Sequence, residues 1–178
     1  MSQTTQNIHW SSISYNWDTP LEIFTELNEE FHFNLDPTNR PIGGLRGLKD
    51  GIRMPYFIPS PGGRIKARVF NNPPYKRGMI KAYVEKTIRE IKLGRCSVAV
   101  FLIPLRNSDY LKLLRKAGAE FRLCEKRIKF GDADDSAGVK KDKVMDCPHC
   151  KKEILLKKAQ PNGNNSAPFD SVVAIIRA

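Results

Sequence analysis

The 178-residue chain has no apolar run approaching the roughly 20 residues that a membrane-crossing helix needs. Its opening stretch, Met1 to Ser14, is polar and lacks the hydrophobic core of a signal peptide, so the expected location is the cytoplasm. Cysteine is scarce: Cys96, Cys124, Cys147 and Cys150 are too few and too scattered for a secreted disulfide framework. His9 and His32 have no sequence partners for a Ser/His/Asp or Cys/His mechanism. Neither G-x-G-x-x-G nor a Walker A lysine loop occurs, which removes the dinucleotide and P-loop fingerprints. Acidic residues are outnumbered, 19 against 30 Lys plus Arg, for a formal charge of +11. That excess favours a polyanionic partner, of which nucleic acid is the commonest, and argues against a small neutral one. It carries no sequence preference, because phosphate contacts have none.

What is present alternates between helix and strand patterns. Residues 1–16 read as a polar arm. Trp17-Asp18-Thr19-Pro20 opens a helix that Asp18 or Thr19 can cap, with Leu21, Phe24, Leu27 and Phe31 recurring on its core face. A short strand, Phe33–Asp36, stops at Pro37. A loop rich in Gly, Pro and Arg covers 37–65, where Gly43, Gly44 and Gly47 suit either close backbone approach to a ligand or a surface turn. A strand at 67–71, a helix at 78–93, a buried strand at 97–103 and a helix at 109–117 follow. Strand candidates at 121–124, 127–130 and 171–176 close the chain, with a Lys-rich polar insert over 131–168. The pattern predicts one α/β domain over 17–178, its mostly parallel sheet covered on both faces. The last two strands are expected to pair antiparallel around the insert.

The most informative stretch is Asn72-Pro73-Pro74-Tyr75, at the carboxyl end of the predicted 67–71 strand, where open α/β sheets place their ligand sites. Two prolines remove two N–H groups, so the local backbone offers carbonyl acceptors only. Asn72 adds a side-chain acceptor and Tyr75 a flat face. Together they can grip a planar group bearing an amino group. The plainer alternative is a Pro-Pro turn that ends the strand.

Asp36, also at a strand end, can accept hydrogen bonds from a cofactor or simply start an Asp-Pro turn. Cys147-Pro148-His149-Cys150 resembles one knuckle of a zinc ribbon, which needs four ligands. Cys124, His149 or a second chain could complete the set, and a shared zinc would imply a dimer. A redox C-x-x-C would open a helix after a strand, a context absent here, and a metal-free turn is the third reading. The insert holds the densest basic stretch, including Lys140, Lys141, Lys151 and Lys152, as a nucleic-acid contact or a solvated charge run.

Several pieces then fall in a recognisable order. Trp17-Asp18-Thr19-Pro20, Phe31-His32-Phe33-Asn34-Leu35-Asp36, Val69-Phe70-Asn71-Asn72-Pro73-Pro74-Tyr75 and Phe101-Leu102-Ile103-Pro104-Leu105-Arg106-Asn107-Ser108-Asp109 together resemble the phage-type DNA N6-adenine methyltransferases, the short Dam-like family. Arg127–Phe130 and Ala167–Ser171 look like that family's closing strand pair. The resemblance implies a Rossmann-like methyltransferase sheet, mostly parallel, with a C-terminal antiparallel strand pair carrying the Lys-rich insert. It implies S-adenosylmethionine-dependent methylation of adenine N6 in double-stranded DNA, with the target base flipped out of the duplex. Asn72, Pro73, Pro74 and Tyr75 would form the amino-group clamp. Trp17, Asp18, Thr19, Pro20, Asp36, Asp50 and Asn72 would lie on the cofactor side. Lys76, Arg77, Arg106, the insert lysines and the 37–65 loop are the expected DNA contacts. The family normally runs from Asp-Pro into a Gly-rich turn, where this chain has Thr38-Asn39-Arg40. Two other readings remain: the same clamp acting on RNA or a protein glutamine, and a non-catalytic nucleic-acid-binding protein built on a decayed methyltransferase fold.

Overall fold

A computed structural model of the chain describes residues 17–38, 40–124, 127–128, 131–132, 144–146, 153–155 and 169–178. Chain order gives β1 (Trp17–Asp18), α1 (Leu21–Phe31), β2 (Ile58–Ser60), β3 (Gly63–Ile65), β4 (Ala67–Asn71), α2 (Met79–Lys92), β5 (Cys96–Pro104), α3 (Asp109–Lys116) and β6 (Glu120–Leu123). β7 (Gly131–Asp132), β8 (Val144–Asp146), β9 (Glu153–Leu155) and β10 (Ser171–Arg177) complete it.

The central sheet has four strands in the order β4-β5-β10-β6. β4 runs parallel to β5, while β10 lies antiparallel between β5 and β6. The protein is therefore a mixed α/β fold whose sheet is less parallel than the sequence pattern predicts. Apolar residues fill β5 and β10 almost continuously because both are inner strands, with a helix layer on each face. On one face Phe24, Leu27 and Phe31 of α1 pack against Phe70, Val100, Leu102, Val173 and Ile175. On the other, Ile80, Tyr83 and Val84 of α2 and Leu111 and Leu114 of α3 pack against Val69, Ala99, Phe101 and Val172. Residues alternate between these faces along each strand, as pleating requires.

Two expectations need correction, the Phe33–Asp36 strand and the α1 cap, and two are placed more closely. The Phe33–Asp36 strand reduces to an isolated bridge at Leu35, parallel to both Val69 and Arg46. The expected pairing of 127–130 with the last strand falls partly outside the described residues: β10 pairs with β5 and with β6, the latter setting Phe121 against Ala174, and 127–128 belong to no strand. Neither Asp18 nor Thr19 caps α1. Pro20 holds the N-cap position without a side-chain hydrogen bond, Asp18 pairs with Gly131, and the Thr19 hydroxyl serves another residue. The 37–65 loop contains an antiparallel hairpin, β2–β3, and its first half is tightly folded. A Cβ on Gly51 would sit 1.9 Å from the Pro37 carbonyl oxygen, and one on Gly43, at φ +59°, would sit 2.3 Å from the Phe24 ring. At Gly43 and Gly51 the chain approaches itself, while a Cβ on Gly44 would meet nothing within 4 Å.

Candidate functional site

β4 delivers Asn71 and then the Asn72-Pro73-Pro74-Tyr75 tetrad at the carboxyl end of the sheet. The backbone needs no cis bond to make this turn. The Asn72 amide is oriented by two groups from the segment leading into α1. Its Nδ2 donates to the Trp17 carbonyl oxygen at 2.7 Å and to Thr19 Oγ1 at 2.9 Å. A backbone carbonyl can only accept, so the nitrogen must face it and the assignment of the two amide ends is fixed. Asn72 Oδ1 then points the other way, buried and without a hydrogen-bond partner among the described residues.

That oxygen has company. Both amide atoms of Asn71 and the Ser171 hydroxyl are also buried and unpartnered among the described residues. Asn71 ends β4 and Ser171 starts β10, opposite Pro104 at the end of β5, so all of these atoms gather at one end of the sheet. The remaining orphan, Arg95 Nε, lies elsewhere and still contacts Glu90 Oε2 at 2.8 Å, misaligned for a hydrogen bond but paired in charge. An unpaired buried polar group costs about 1–3 kcal/mol, so this cluster makes the strand end the candidate site among the described residues. Asn71 and Ser171 carried no signal in the sequence beyond being polar letters at the ends of apolar strands.

Tyr75 packs its ring edge against Phe169 at 5.5 Å, and its hydroxyl donates to the Leu102 carbonyl at 3.3 Å. Burial pushes its pKa well above the usual phenol range, so it stays neutral. Phe169 also meets Trp17 edge-on at 6.2 Å and lies under the Arg106 guanidinium at 4.8 Å. Arg106, a predicted DNA contact, is thus beside the tetrad, and Phe169 joins the two residues that flank Asn72. Lys76 and Arg77 follow the tetrad and are exposed.

The acids behave differently. Asp36 is 3% exposed, and its Oδ1 accepts from the Thr38 N–H at 2.9 Å and the Thr38 hydroxyl at 2.7 Å. Its Oδ2 accepts from the Ile42 N–H at 3.2 Å. Burial raises its pKa to about 6, against the lowering effect of those donors. Asp50 Oδ1 likewise accepts from the Ile52 and Arg53 N–H groups at 3.1 and 3.0 Å. Both carboxylates shape the turns they begin. Thr38, sitting where a Gly-rich turn was the family expectation, supplies two of the donors to Asp36.

Cys147, Cys150, Lys140, Lys141, Lys151 and Lys152 lie outside the described residues, between or beside β7, β8 and β9, of which β8 and β9 pair antiparallel. Among the described residues no helix is long and apolar enough to cross a membrane. No protein family, curated protein or solved structure matches the chain.

Proposed function

We propose that this protein is an S-adenosylmethionine-dependent methyltransferase that modifies the N6 amino group of adenine in double-stranded DNA. The carrying observation is Asn72. Its donor end is anchored by Trp17 and Thr19, which leaves a buried acceptor with no partner among the described residues at the sheet's carboxyl end. An exocyclic amino group supplies the complementary donor. The +11 charge supports a nucleic-acid acceptor over a neutral one. The mixed α/β sheet with a helix layer on each face supports this reading at the level of fold class only, and action in the cytoplasm belongs to the same reading.

In this reading Asn72 Oδ1 and the carbonyls of the Pro-Pro segment accept hydrogen bonds from the amino group and hold its lone pair in line for transfer. Tyr75 offers its ring to the base. Neither Asn72 nor the neutral Tyr75 is a strong base, so their contribution is positioning and fixed dipoles, an effect worth about 10²–10³ in rate per oriented group. A base reaches Asn72 Oδ1 only when the contacts that bury it open.

S-adenosylmethionine, when bound, supplies an electrophilic methyl group. The residues present fit it at the tetrad end, where Asn71 offers an unpaired buried donor and acceptor beside Asn72. They fit less well at Asp36 and Asp50, whose oxygens already serve their own turns, so these two act as builders of the cofactor-side loop. Zinc at Cys147 and Cys150 is a separate part of the proposal, tested by elemental analysis before and after Cys147→Ser.

The deciding assay incubates wild type and Asn72→Ala with tritiated S-adenosylmethionine and unmethylated duplex DNA, with RNA and protein acceptors in parallel. Label in N6-methyladenine of DNA from wild type alone supports the reading. Label only in RNA or protein moves the same clamp to another acceptor. Absence of any label, together with no cofactor binding by calorimetry, favours the non-catalytic nucleic-acid-binding protein.

A further inference from the structure

The end of the sheet opposite the tetrad carries its own basic surface. The β2–β3 hairpin leads directly into β4, so it stands at that strand's amino end, and the five residues of β4 separate it from Asn72. At about 3.3 Å per residue that is on the order of 15 Å. The hairpin projects: Cβ atoms built on Gly62 and Gly63 would meet nothing within 4 Å. At its base the Phe57 ring carries two guanidinium groups, Arg64 at 4.0 Å and Arg95 at 5.3 Å from the centroid. Lys66 stands beside them, because the next residue, Ala67, donates its N–H to the Arg95 carbonyl at 2.8 Å.

The acid beside the hairpin's base, Glu90, is already committed. Glu90 is fully buried and takes both Lys86 at 2.6 Å and Arg95 at 2.8 Å, while also accepting the Tyr56 N–H at 3.1 Å. Arg64 and Lys66 are exposed and have no acidic partner among the described residues. The ring of Phe57 holds Arg64 in place, so less side-chain freedom is lost when its N–H fork meets an anion. A projecting two-stranded ribbon with pre-placed cations at its base is a shape that duplex grooves admit.

We infer that this hairpin face, centred on Arg64 and Lys66, is a second DNA phosphate-binding surface, separate from the tetrad end. It rests on the DNA part of the proposed function and not on methyl transfer. It also divides the 37–65 segment. The first half builds turns near Asp36, and the hairpin contacts DNA away from the chemistry.

The test is fluorescence anisotropy of a labelled duplex titrated with protein across roughly 50–200 mM salt, without cofactor. Arg64→Gln with Lys66→Gln is expected to weaken binding about tenfold at the low-salt end. The magnitude of the log–log salt slope should fall by about 2, one for each lost phosphate contact. Lys81→Gln with Lys112→Gln removes the same charge from helix lysines that already face Glu85 and Asp109, and should change the slope much less. Circular dichroism checks that each variant is folded. Equal effects from the two pairs, no effect from the hairpin pair, or no duplex binding by wild type would each overturn the inference. Because the readout needs no turnover, loss of the methyl-transfer reading would leave a slope change standing, and the reverse.

Discussion

Asp36 and Asn72 occupy equivalent places and have opposite fates. Each is a polar residue near a strand end, each precedes a proline, and each looks from the sequence like a ligand group. The surroundings of Asp36 donate: Thr38 and Ile42 aim their N–H groups, and Thr38 its hydroxyl, at the carboxylate. The surroundings of Asn72 accept: the Trp17 carbonyl and the Thr19 hydroxyl draw off its N–H groups and leave its buried oxygen without a partner among the described residues. A side chain's availability is set by which of its atoms the local fold consumes, and that is decided by neighbours distant in sequence.

The comparison breaks most visibly at Asn72. Asn72→Ala should lower kcat by about 10²–10³, because it removes an oriented acceptor, and should cost about 1–2 kcal/mol of stability through the lost bonds to Trp17 and Thr19. Gly51→Ala attacks the other side. Its Cβ would meet the Pro37 carbonyl at 1.9 Å, so the turn built by Asp36 must shift. The expected loss is about 3 kcal/mol, seen as a fall of roughly 6–12 °C in melting temperature.

Asp36→Asn sharpens the contrast through pH. The folded pKa of Asp36, about 6, stands above its ordinary value of 3.8, so the folded state binds the proton more tightly than the unfolded one. Its contribution to stability is fully present below pH 3.8 and is lost as pH rises through 6. The difference is on the order of 3 kcal/mol. Thermal melts from pH 4 to 7 should show this decline in wild type relative to Asp36→Asn. An identical profile in the two proteins would mean that the carboxylate is not buried and self-satisfied as described. Thr19→Val is the smallest change. It leaves the Trp17 anchor and removes one of two acceptors for Asn72 Nδ2, so about a tenfold loss in kcat is expected with near-normal stability. Equal kcat would show that the anchor does not orient the amide.

Much of the frame was legible because it rests on local pattern. The runs 98–103 and 172–176 are apolar throughout and became the inner strands β5 and β10, and the spacing of Phe24, Leu27 and Phe31 placed α1 on its face. The tetrad's position followed from the strand before it. What escaped depends on pairing across the chain. Phe121 suits a strand by its letters alone, but only the register with Ala174 shows that its segment lies beside β10. Thr19 reads as a helix cap until Asn72, far along the chain, claims its hydroxyl. The orphaned state of Asn71 and Ser171 appears only once the sheet brings β4 and β10 to one end.

The central claim is that Asn72 holds an adenine amino group for methylation. Nucleoside mass spectrometry of duplex DNA incubated with the protein and S-adenosylmethionine tests it most directly. The account predicts N6-methyladenine with wild type and at most about one per cent of that initial rate with Asn72→Ala. Equal N6-methyladenine from both proteins, or none from wild type under conditions where it binds DNA, would contradict it.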